Sequence, residues 1–140
     1  MIAGIGIDLT PVARLWQSYE RYRERFLKHV LTDREQAEFA RRSATGGAKT
    51  YLAGRWAAKE AAMKALGTGW DQGVGFRQVE VLGVQPDKGT SCPALTFHGK
   101  AAQIAARMEV SRAWVSISHS ADDAIAQVIL EKLDAPAAAE

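Results

Sequence analysis

Apolar residues recur at helical spacing from Ala48 to Leu66, and this pattern predicts one long α-helix that ends at Gly67. Positions 53, 56, 57, 60, 61 and 64 share one stripe of that helix, which we expect to be buried. Glu60 and Lys64 interrupt the otherwise apolar stripe one turn apart. Because an unpaired buried charge is costly, these side chains are predicted to be paired or to bind a ligand. The alternative is an ordinary i,i+4 ion pair on the helix surface.

Shorter patterns predict the other elements. Residues 1–7 should form a buried strand that ends at Asp8, with Thr10 and Pro11 as the N-cap and first residue of the next helix. Residues 32–35 have a capping-box pattern that begins another helix. Strands are also predicted at 79–84, 94–98, 113–118 and 124–130, with a helix at 100–108, loops at 43–47 and 69–75 and a turn at 85–90. The last two strands should form a hairpin, and the whole order predicts an α+β fold with an antiparallel sheet packed on the long central helix.

Length and composition describe one ordinary globular domain. The chain has 140 residues, of which 47% are hydrophobic and 24% charged, and we expect a single domain over 1–133 and a disordered tail at 134–140. The single cysteine, Cys92, cannot form an internal disulfide. The N-terminus lacks the cationic and apolar regions of a signal peptide, and no apolar run reaches the length of a membrane span. We therefore expect a cytoplasmic protein without a membrane partner.

Positive charge is concentrated in one segment, although the formal net charge is only +2. Two anions, Glu20 and Glu24, lie between positions 14 and 28 together with five cations, which are Arg14, Arg21, Arg23, Arg25 and Lys28. Such a local excess predicts an acidic partner. Nucleic acid is the less favoured partner, because the two glutamates interrupt the basic segment and the chain as a whole is nearly neutral.

Two carboxylates are candidates for a metal site. Asp8 follows the segment Gly4-Ile5-Gly6-Ile7, whose glycines allow a ligand or another backbone to come close. Mg²⁺ prefers one or two carboxylates together with phosphate oxygens, so Asp8 and Glu60 would hold one divalent ion if they converge. Lys64 would then face the same phosphates as a point charge. The alternative for Asp8 is a strand-end acid that bonds only to the backbone after it.

The segment from Trp114 to Ser120 holds serines and a histidine. Alternation along the strand places Ser116 and Ser118 on one face, with His119 at the following turn. A histidine at a strand end is more often structural than catalytic. Because no Gly-x-Ser-x-Gly motif is present, the pair of Ser118 and His119 is weak evidence for a hydrolase.

Three of these segments together resemble the signature of the small 4′-phosphopantetheinyl transferases. They are Gly4-Ile5-Gly6-Ile7-Asp8, residues 55–69 with the sequence RWAAKEAAMKALGTG, and Ser116-Ile117-Ser118-His119. Their order and separations are similar to those of the family from Met1 to Glu131. The resemblance implies an enzyme that transfers the 4′-phosphopantetheine arm of coenzyme A to a serine of apo acyl carrier protein. Adenosine 3′,5′-bisphosphate would leave, and Mg²⁺ would be the cofactor.

The resemblance also implies roles for the matching residues. Asp8 and Glu60 would hold Mg²⁺, Glu60 would help to deprotonate the acceptor serine, and Lys64 would offset charge on the phosphates. The coenzyme A site would include Arg55, Lys64, Gly67, Thr68, Gly69, His119 and Ser120. Acyl carrier protein would dock on Arg14, Arg21, Arg23 and Arg25. The family forms homotrimers with active sites between subunits, so some contacts would come from a neighbouring chain.

Two positions depart from the family pattern, and three other functions stay open. Pro11 stands where the family usually has an acid, so any role of that acid would be lost or would pass to Thr10 or a water; Trp56 replaces the usual phenylalanine.

One alternative function is a coenzyme A or nucleotide-binding module without transferase activity, which the missing acid would favour. The others are a small basic nucleic-acid-binding protein and a structural protein in which all three motifs serve packing. The sequence leaves open which carrier protein is modified.

Overall fold

A long helix packed on a three-stranded antiparallel sheet forms the centre of the molecule. The computed structural model describes residues 1–68, 72–84 and 92–138. Within these residues the elements are β1 Ile2–Pro11, α1 Val12–Tyr22, α2 Glu24–Val30, α3 Asp33–Thr45, α4 Ala48–Leu66, a 3₁₀ turn Phe76–Gln78, β2 Val79–Val84, β3 Cys92–Phe97, α5 Gly99–Arg107, β4 Arg112–His119 and β5 Asp123–Glu131. The larger sheet has the order β1-β5-β4, and β2 pairs with β3 in a second antiparallel sheet. The predicted α+β class is confirmed, whereas the predicted turn at 85–90 lies outside the described residues.

Glycines let α4 lie directly against β1. A Cβ atom on Gly4 would stand 2.1 Å from the carbonyl oxygen of Ala65, and one on Gly6 would stand 1.9 Å from that of Ala61. Both distances are too short for any side chain, so only glycine allows this backbone contact. The contact holds the end of β1, including Asp8, beside the second half of α4.

Local signals set the start of α3 and the end of α4 as predicted. α4 begins at Ala48 and ends at Leu66, and Gly67 follows with a left-handed φ of 69°. Thr32 caps α3 through its hydroxyl, and the Glu35 side chain completes the capping box. The hairpin of β4 and β5 is also confirmed.

Two local predictions near the N-terminus are wrong. Thr10 and Pro11 do not form the N-cap and first turn of a helix; they extend β1 and pair with Ala124 and Asp123 of β5. α1 begins only at Val12. Pairing with a strand near the other end of the chain therefore outweighs the local helix-start signal.

A break at Arg23 and a longer α3 also differ from the prediction. The sequence predicts one helix in this region, but Arg23 has a φ of 48° and separates α1 from α2. Because arginine seldom adopts a positive φ, no local signal predicts the break. α3 continues to Thr45, inside the predicted loop, and ends at Gly46 with a φ of 83°.

The lysine that α4 buries is Lys59, whereas Lys64 is exposed. The side chains of Lys59 and Glu35 are both 0% exposed, and their charged groups lie 2.7 Å apart. The Lys59 ammonium also donates to the carbonyl oxygens of Phe76 (2.9 Å) and Val79 (2.5 Å). Burial lowers the pKa of Lys59, and the charge of Glu35 opposes that change. The Lys64 side chain is 53% exposed, so the expectation of a buried stripe is wrong there, because the stripe emerges from the core beside the end of β1.

One face of the larger sheet packs on α4, and the other is apolar and exposed. Along β1 the side chains of Ile5, Ile7 and Leu9 point away from the helix and are 57%, 55% and 63% exposed. Ile125 of β5 and Trp114 of β4 continue this face. A contiguous apolar patch of this kind marks an interaction surface. None of the helices in the described ranges is long and apolar enough to cross a bilayer.

Candidate functional site

Asp8 and Lys64 meet where β1 passes the second half of α4. The Lys64 ammonium donates to the backbone carbonyl of Ile7 at 2.9 Å and to Asp8 Oδ1 at 3.1 Å. The other carboxylate oxygen, Oδ2, accepts a hydrogen bond from the hydroxyl of Thr10 at 2.6 Å. Asp8 and Thr10 are two residues apart on one strand, so their side chains share a face. Both oxygens of Asp8 are therefore held, which fixes the orientation of the carboxylate.

Glu60 completes the cluster one turn before Lys64. Partial burial raises the pKa of Glu60, the charge of Asp8 raises it further, and Lys64 opposes both effects. Asp8 and Glu60 also line one cleft, so their charges are near enough to repel. Two neighbouring carboxylates are stabilised in their charged form by a cation, and Lys64 supplies only one positive charge for the pair.

The donor set of this cluster fits Mg²⁺. Across residues 1–68, 72–84 and 92–138, no group of three or more His, Cys, Asp and Glu side chains is placed to hold a metal ion. Mg²⁺ does not require such a group, because one or two carboxylates are sufficient when substrate phosphates and waters complete the coordination. Asp8 and Glu60 form such a pair, and both are oxygen donors.

A cleft of about 370 Å³ opens beside the two carboxylates. Its walls include Arg14 from α1 and the rings of Phe26 and Trp56. Trp56 stacks on Phe26 and on the buried ring of Phe76, with centroid distances of 5.9 Å and 4.3 Å, so the aromatic wall continues into the core. The cleft therefore combines two carboxylates, a cation and a rigid apolar wall.

The C-terminal end of α4 lies one turn beyond Lys64. The backbone amide of Thr68 donates to the Met63 carbonyl at 3.0 Å, closing the helix after Gly67. The Thr68 hydroxyl is buried and has no hydrogen-bond partner within the described residues. Such a hydroxyl is a candidate donor to a bound ligand. Gly69, which was expected in the donor site, lies outside the described residues.

Arg55 and His119 line a different cleft, of about 300 Å³. Among the described residues, none lines both this cleft and the one beside Asp8 and Glu60. The guanidinium carbon of Arg55 lies 4.7 Å from the centre of the Tyr51 ring. Its Nε atom is buried, with no hydrogen-bond acceptor in the part of the chain that the structure describes. In one chain, the residues predicted to bind the donor thus form two separate groups.

Ser120 begins the turn between β4 and β5. Its hydroxyl accepts hydrogen bonds from the backbone amides of Asp122 (3.2 Å) and Asp123 (3.1 Å). Ser120 and His119 also border a shallow cleft with Leu9, next to the exposed sheet face. The position from which Ser120 is predicted to contact coenzyme A therefore lies at the edge of the exposed apolar sheet face.

The predicted basic surface is formed by α1 and the start of α2. Arg14 lines the carboxylate cleft. The guanidinium carbons of Arg21 and Arg23 lie 5.3 Å and 5.4 Å from the rings of Tyr22 and Tyr19. All four predicted docking residues are exposed, namely Arg14, Arg21, Arg23 and Arg25. The cluster is therefore accessible to an acidic partner.

Sequence reasoning gives one feature of this region only as an alternative and misses another. The first is the hydrogen bond from Thr10 to Asp8: Thr10 is one of two candidates to replace the missing acid, and their spacing of two residues on a strand is the signal. The other is the ion pair of Lys59 and Glu35, next in sequence to Glu60. Its signal is a lysine placed among alanines that line every side of the helix, where a solvent-exposed face would show several polar residues.

Comparison with known proteins gives consistent results over nearly the whole chain. The family model of the 4′-phosphopantetheinyl transferase superfamily matches residues 4–129. A holo-[acyl-carrier-protein] synthase of Nitratidesulfovibrio vulgaris is 43% identical over 131 residues, covering 94% of this chain and 99% of the relative. That of Halorhodospira halophila is 46% identical over 130 residues, covering 93% and 98%.

Solved structures agree in fold. The holo-[acyl-carrier-protein] synthase of Neisseria meningitidis superposes with a TM-score of 0.79 at 32% identity, covering 94% of this chain and 100% of that one. A Bacillus anthracis synthase in complex with coenzyme A (3′,5′-ADP) has a TM-score of 0.69 at 35% identity, covering 95% and 99%. The Helicobacter pylori synthase in complex with coenzyme A has a TM-score of 0.72 at 27% identity, covering 91% and 99%.

Proposed function

This chain belongs to the 4′-phosphopantetheinyl transferase superfamily, and on that premise we propose that the site of Asp8, Glu60 and Lys64 acts on the diphosphate of coenzyme A. The reaction is transfer of the 4′-phosphopantetheine arm to a serine of apo acyl carrier protein. The serine oxygen forms a bond to the β-phosphorus, the bridging P–O bond breaks, and adenosine 3′,5′-bisphosphate leaves. The convergence of two carboxylates and an ammonium beside one cleft is the observation that supports this assignment.

Phosphoryl transfer needs positioning and charge neutralisation more than a protein nucleophile. Asp8 and Glu60 would hold Mg²⁺, which neutralises diphosphate charge when it is bound. Lys64, already oriented by Ile7 and Asp8, offsets further charge on the donor. Glu60 is the candidate acceptor for the serine proton, because it is the carboxylate of the pair that Thr10 does not hold.

The direct test is incubation of the protein with coenzyme A, Mg²⁺ and apo acyl carrier protein, followed by mass spectrometry of the carrier. Glu60→Ala should abolish the mass gain on the carrier while far-UV circular dichroism and oligomer size stay unchanged. Retained transfer by this variant would refute the site assignment. A wild-type protein that binds coenzyme A but never modifies a carrier would instead be the binding module without transferase activity.

We further propose that the active site lies between subunits of a homotrimer. Two observations support this: the carboxylates and Arg55 with His119 line separate clefts of one chain, and an apolar sheet face is exposed beside His119. A donor that spans two chains would contact both groups. The substitution Ile7→Lys, which places a charge in the centre of the apolar face, should then lower both the oligomer mass in light scattering and the transfer rate.

Subunit mixing tests the shared site more directly. Chains with Glu60→Ala and chains with Arg55→Ala should each be inactive alone. After mixing and re-association, about one quarter of the interfaces would combine an intact carboxylate group with an intact Arg55, so activity should return in part. A mixture of Glu60→Ala with Asp8→Ala is the control and should stay inactive, because both changes affect the same group. Absence of recovery in the first mixture would contradict an inter-subunit site.

The arginines of α1 and α2 are proposed to dock the acidic carrier. Reversal of Arg21 and Arg23 to glutamate should raise the KM for carrier protein and hardly change the affinity for coenzyme A. The wild-type KM for the carrier should also rise with salt, since these charges are exposed. Equal weakening of carrier and coenzyme A binding would count against the docking role. We propose a cytoplasmic location, with which the free thiol of Cys92 is consistent.

A further inference from the structure

The β4–β5 turn, residues 120–123, is hydrogen-bonded to the first residue of α1. The backbone amide of Val12 donates to the carbonyl oxygen of Asp122 at 2.9 Å. The pairing of β1 with β5 ends at Pro11 and Asp123, so this contact lies where the chain leaves the strand and begins the helix. α1 also carries Arg14, which lines the cleft of the two carboxylates. A hairpin from the far end of the chain therefore supports the start of the helix that borders the site.

The start of α1 lacks the groups that usually stabilise a helix N-terminus. Its N-cap residue is Pro11, and proline has no side-chain oxygen to accept a hydrogen bond from an amide of the first turn. That turn, Val12-Ala13-Arg14, contains no acidic residue to interact with the helix dipole. Because the free amides at a helix start need an acceptor, the Asp122 carbonyl takes over part of the role of the missing cap.

Ser120 fixes the conformation of the turn that presents this carbonyl. Its hydroxyl accepts hydrogen bonds from the backbone amides of Asp122 and Asp123 at 3.2 Å and 3.1 Å. Its own backbone amide donates to the Asp123 carbonyl at 2.8 Å. A serine hydroxyl that bonds amides two and three residues later stabilises a defined turn. Without the hydroxyl, both amides lose this acceptor and the Asp122 carbonyl is held less firmly.

The direction of α1 decides where Arg14 lies relative to the carboxylates. Val12 and Leu15 are 5% and 7% exposed, so they anchor one side of the helix on the core. The hydrogen bond from Val12 to the turn adds a second restraint, on the way in which the helix leaves β1. Arg14 follows Val12 by only two residues, so a looser helix start would displace it first.

We propose that Ser120 is a positioning residue for carrier docking. Through the Asp122 carbonyl it holds the start of α1, so that Arg14 is presented to the acidic carrier beside the carboxylate cleft. This inference rests on the proposed function and deepens it. It gives the Ser120 hydroxyl a role on the acceptor side of the reaction, distinct from the contact with coenzyme A that the family resemblance implies.

The kinetic test compares Ser120→Ala with a matched control, Ser118→Ala. The control removes an exposed hydroxyl two residues earlier, on β4, and leaves the hydrogen bonds of the turn intact. Ser120→Ala should raise the KM for carrier protein about three- to tenfold while kcat and the KM for coenzyme A hardly change. Ser120→Thr keeps the hydroxyl and should restore the carrier KM. A rise confined to coenzyme A, or equal rises for both substrates, would overturn the inference.

A second substitution on α1 tests the route by which Ser120 acts. Pro11→Ser supplies an N-cap hydroxyl that can accept from the Arg14 amide, so the helix start depends less on the turn. In the Ser120→Ala background it should therefore lower the raised KM for carrier protein toward the wild-type value. An unchanged KM in the double variant would contradict a route through the start of α1.

Amide hydrogen exchange separates this inference from the proposed reaction, because it needs neither coenzyme A nor carrier. Ser120→Ala should speed exchange in the first residues of α1 and in the turn about threefold or more, and leave α4 unchanged. Faster exchange would support the hold of the turn on α1 even if the wild type modified no carrier, a result that would refute only the proposed function. Unchanged exchange in α1, or faster exchange with a wild-type KM for the carrier, would overturn the positioning role while leaving transfer from coenzyme A intact.

Discussion

The buried ion pair of Lys59 and Glu35 gives the sharpest prediction for stability. Replacing Lys59 by methionine keeps an unbranched side chain but removes an ammonium that binds three oxygens, from Glu35, Phe76 and Val79. The carboxylate of Glu35 is then left buried without its counter-charge. Breaking a buried pair in this way costs about 3–5 kcal/mol. Against a typical total stability of about 5–15 kcal/mol, this is a loss of roughly a fifth or more.

The assay is urea and thermal unfolding at one fixed protomer concentration, because association would otherwise alter the apparent stability. For a chain of this length, Lys59→Met should lower the Tm by roughly 10–20 °C. Lys64→Met is the matched control on the same helix: its side chain is 53% exposed, and loss of the Asp8 contact should cost no more than about 1 kcal/mol. The two substitutions should therefore have different effects: Lys59→Met should impair folding, whereas Lys64→Met should impair transfer.

A double-mutant cycle tests the reason for the loss. Glu35→Met alone leaves the Lys59 ammonium buried without its counter-charge. It should therefore lower the free energy of unfolding by as much as Lys59→Met does. The double variant contains no unpaired buried charge, although backbone groups of Thr32, Phe76, Val79 and Val81 lose partners. Its destabilisation should be smaller than the sum of the single effects by more than about 1 kcal/mol. Additive single effects, or a Lys59→Met variant within about 1 kcal/mol of wild type, would refute the reasoning.

Three further predictions concern the site and its surroundings. Thr10→Val removes the hydrogen bond to Asp8 Oδ2 and should weaken Mn²⁺ or Mg²⁺ binding about 10- to 100-fold by calorimetry, whereas Thr10→Ser should not; equal affinities would contradict a positioning role. Burial and the charge of Asp8 raise the pKa of Glu60. Above that pKa, the ionised carboxylate therefore lowers the free energy of unfolding. This loss vanishes once the pH is low enough for the carboxyl to be protonated in both the folded and the unfolded state. Glu60→Gln should therefore stabilise the metal-free protein at neutral pH, and this gain should disappear as the pH falls below the ordinary value of 4.5; a gain independent of pH would exclude this cause. Arg23→Gly should stabilise the fold by up to about 1 kcal/mol, because glycine accepts a φ of 48°, whereas Arg25→Gly inside α2 should destabilise by a similar amount in urea unfolding; the same sign for both would show that Arg23 is unstrained.

The sequence by itself determines the elements whose signals are local. α4 could be predicted from Ala48 to Leu66 because helical periodicity and the cap at Gly67 depend only on neighbours along the chain. The capping box of α3 and the β4–β5 hairpin were predictable for the same reason. The motif around Glu60 was equally visible, because residue types and spacing are enough to indicate a family.

Only the tertiary structure decides which of these residues are buried, paired or brought together. Lys59 is buried and Lys64 exposed, although both lie on one alanine-rich helix, because strands and helices pack around several sides of α4 and no single stripe faces the core. Thr10 belongs to β1 and holds Asp8 because β5, from the far end of the chain, pairs with it there. Burial and pairing depend on contacts between distant segments, whose free energies of packing and desolvation outweigh local propensities and are not encoded in any one stretch of sequence.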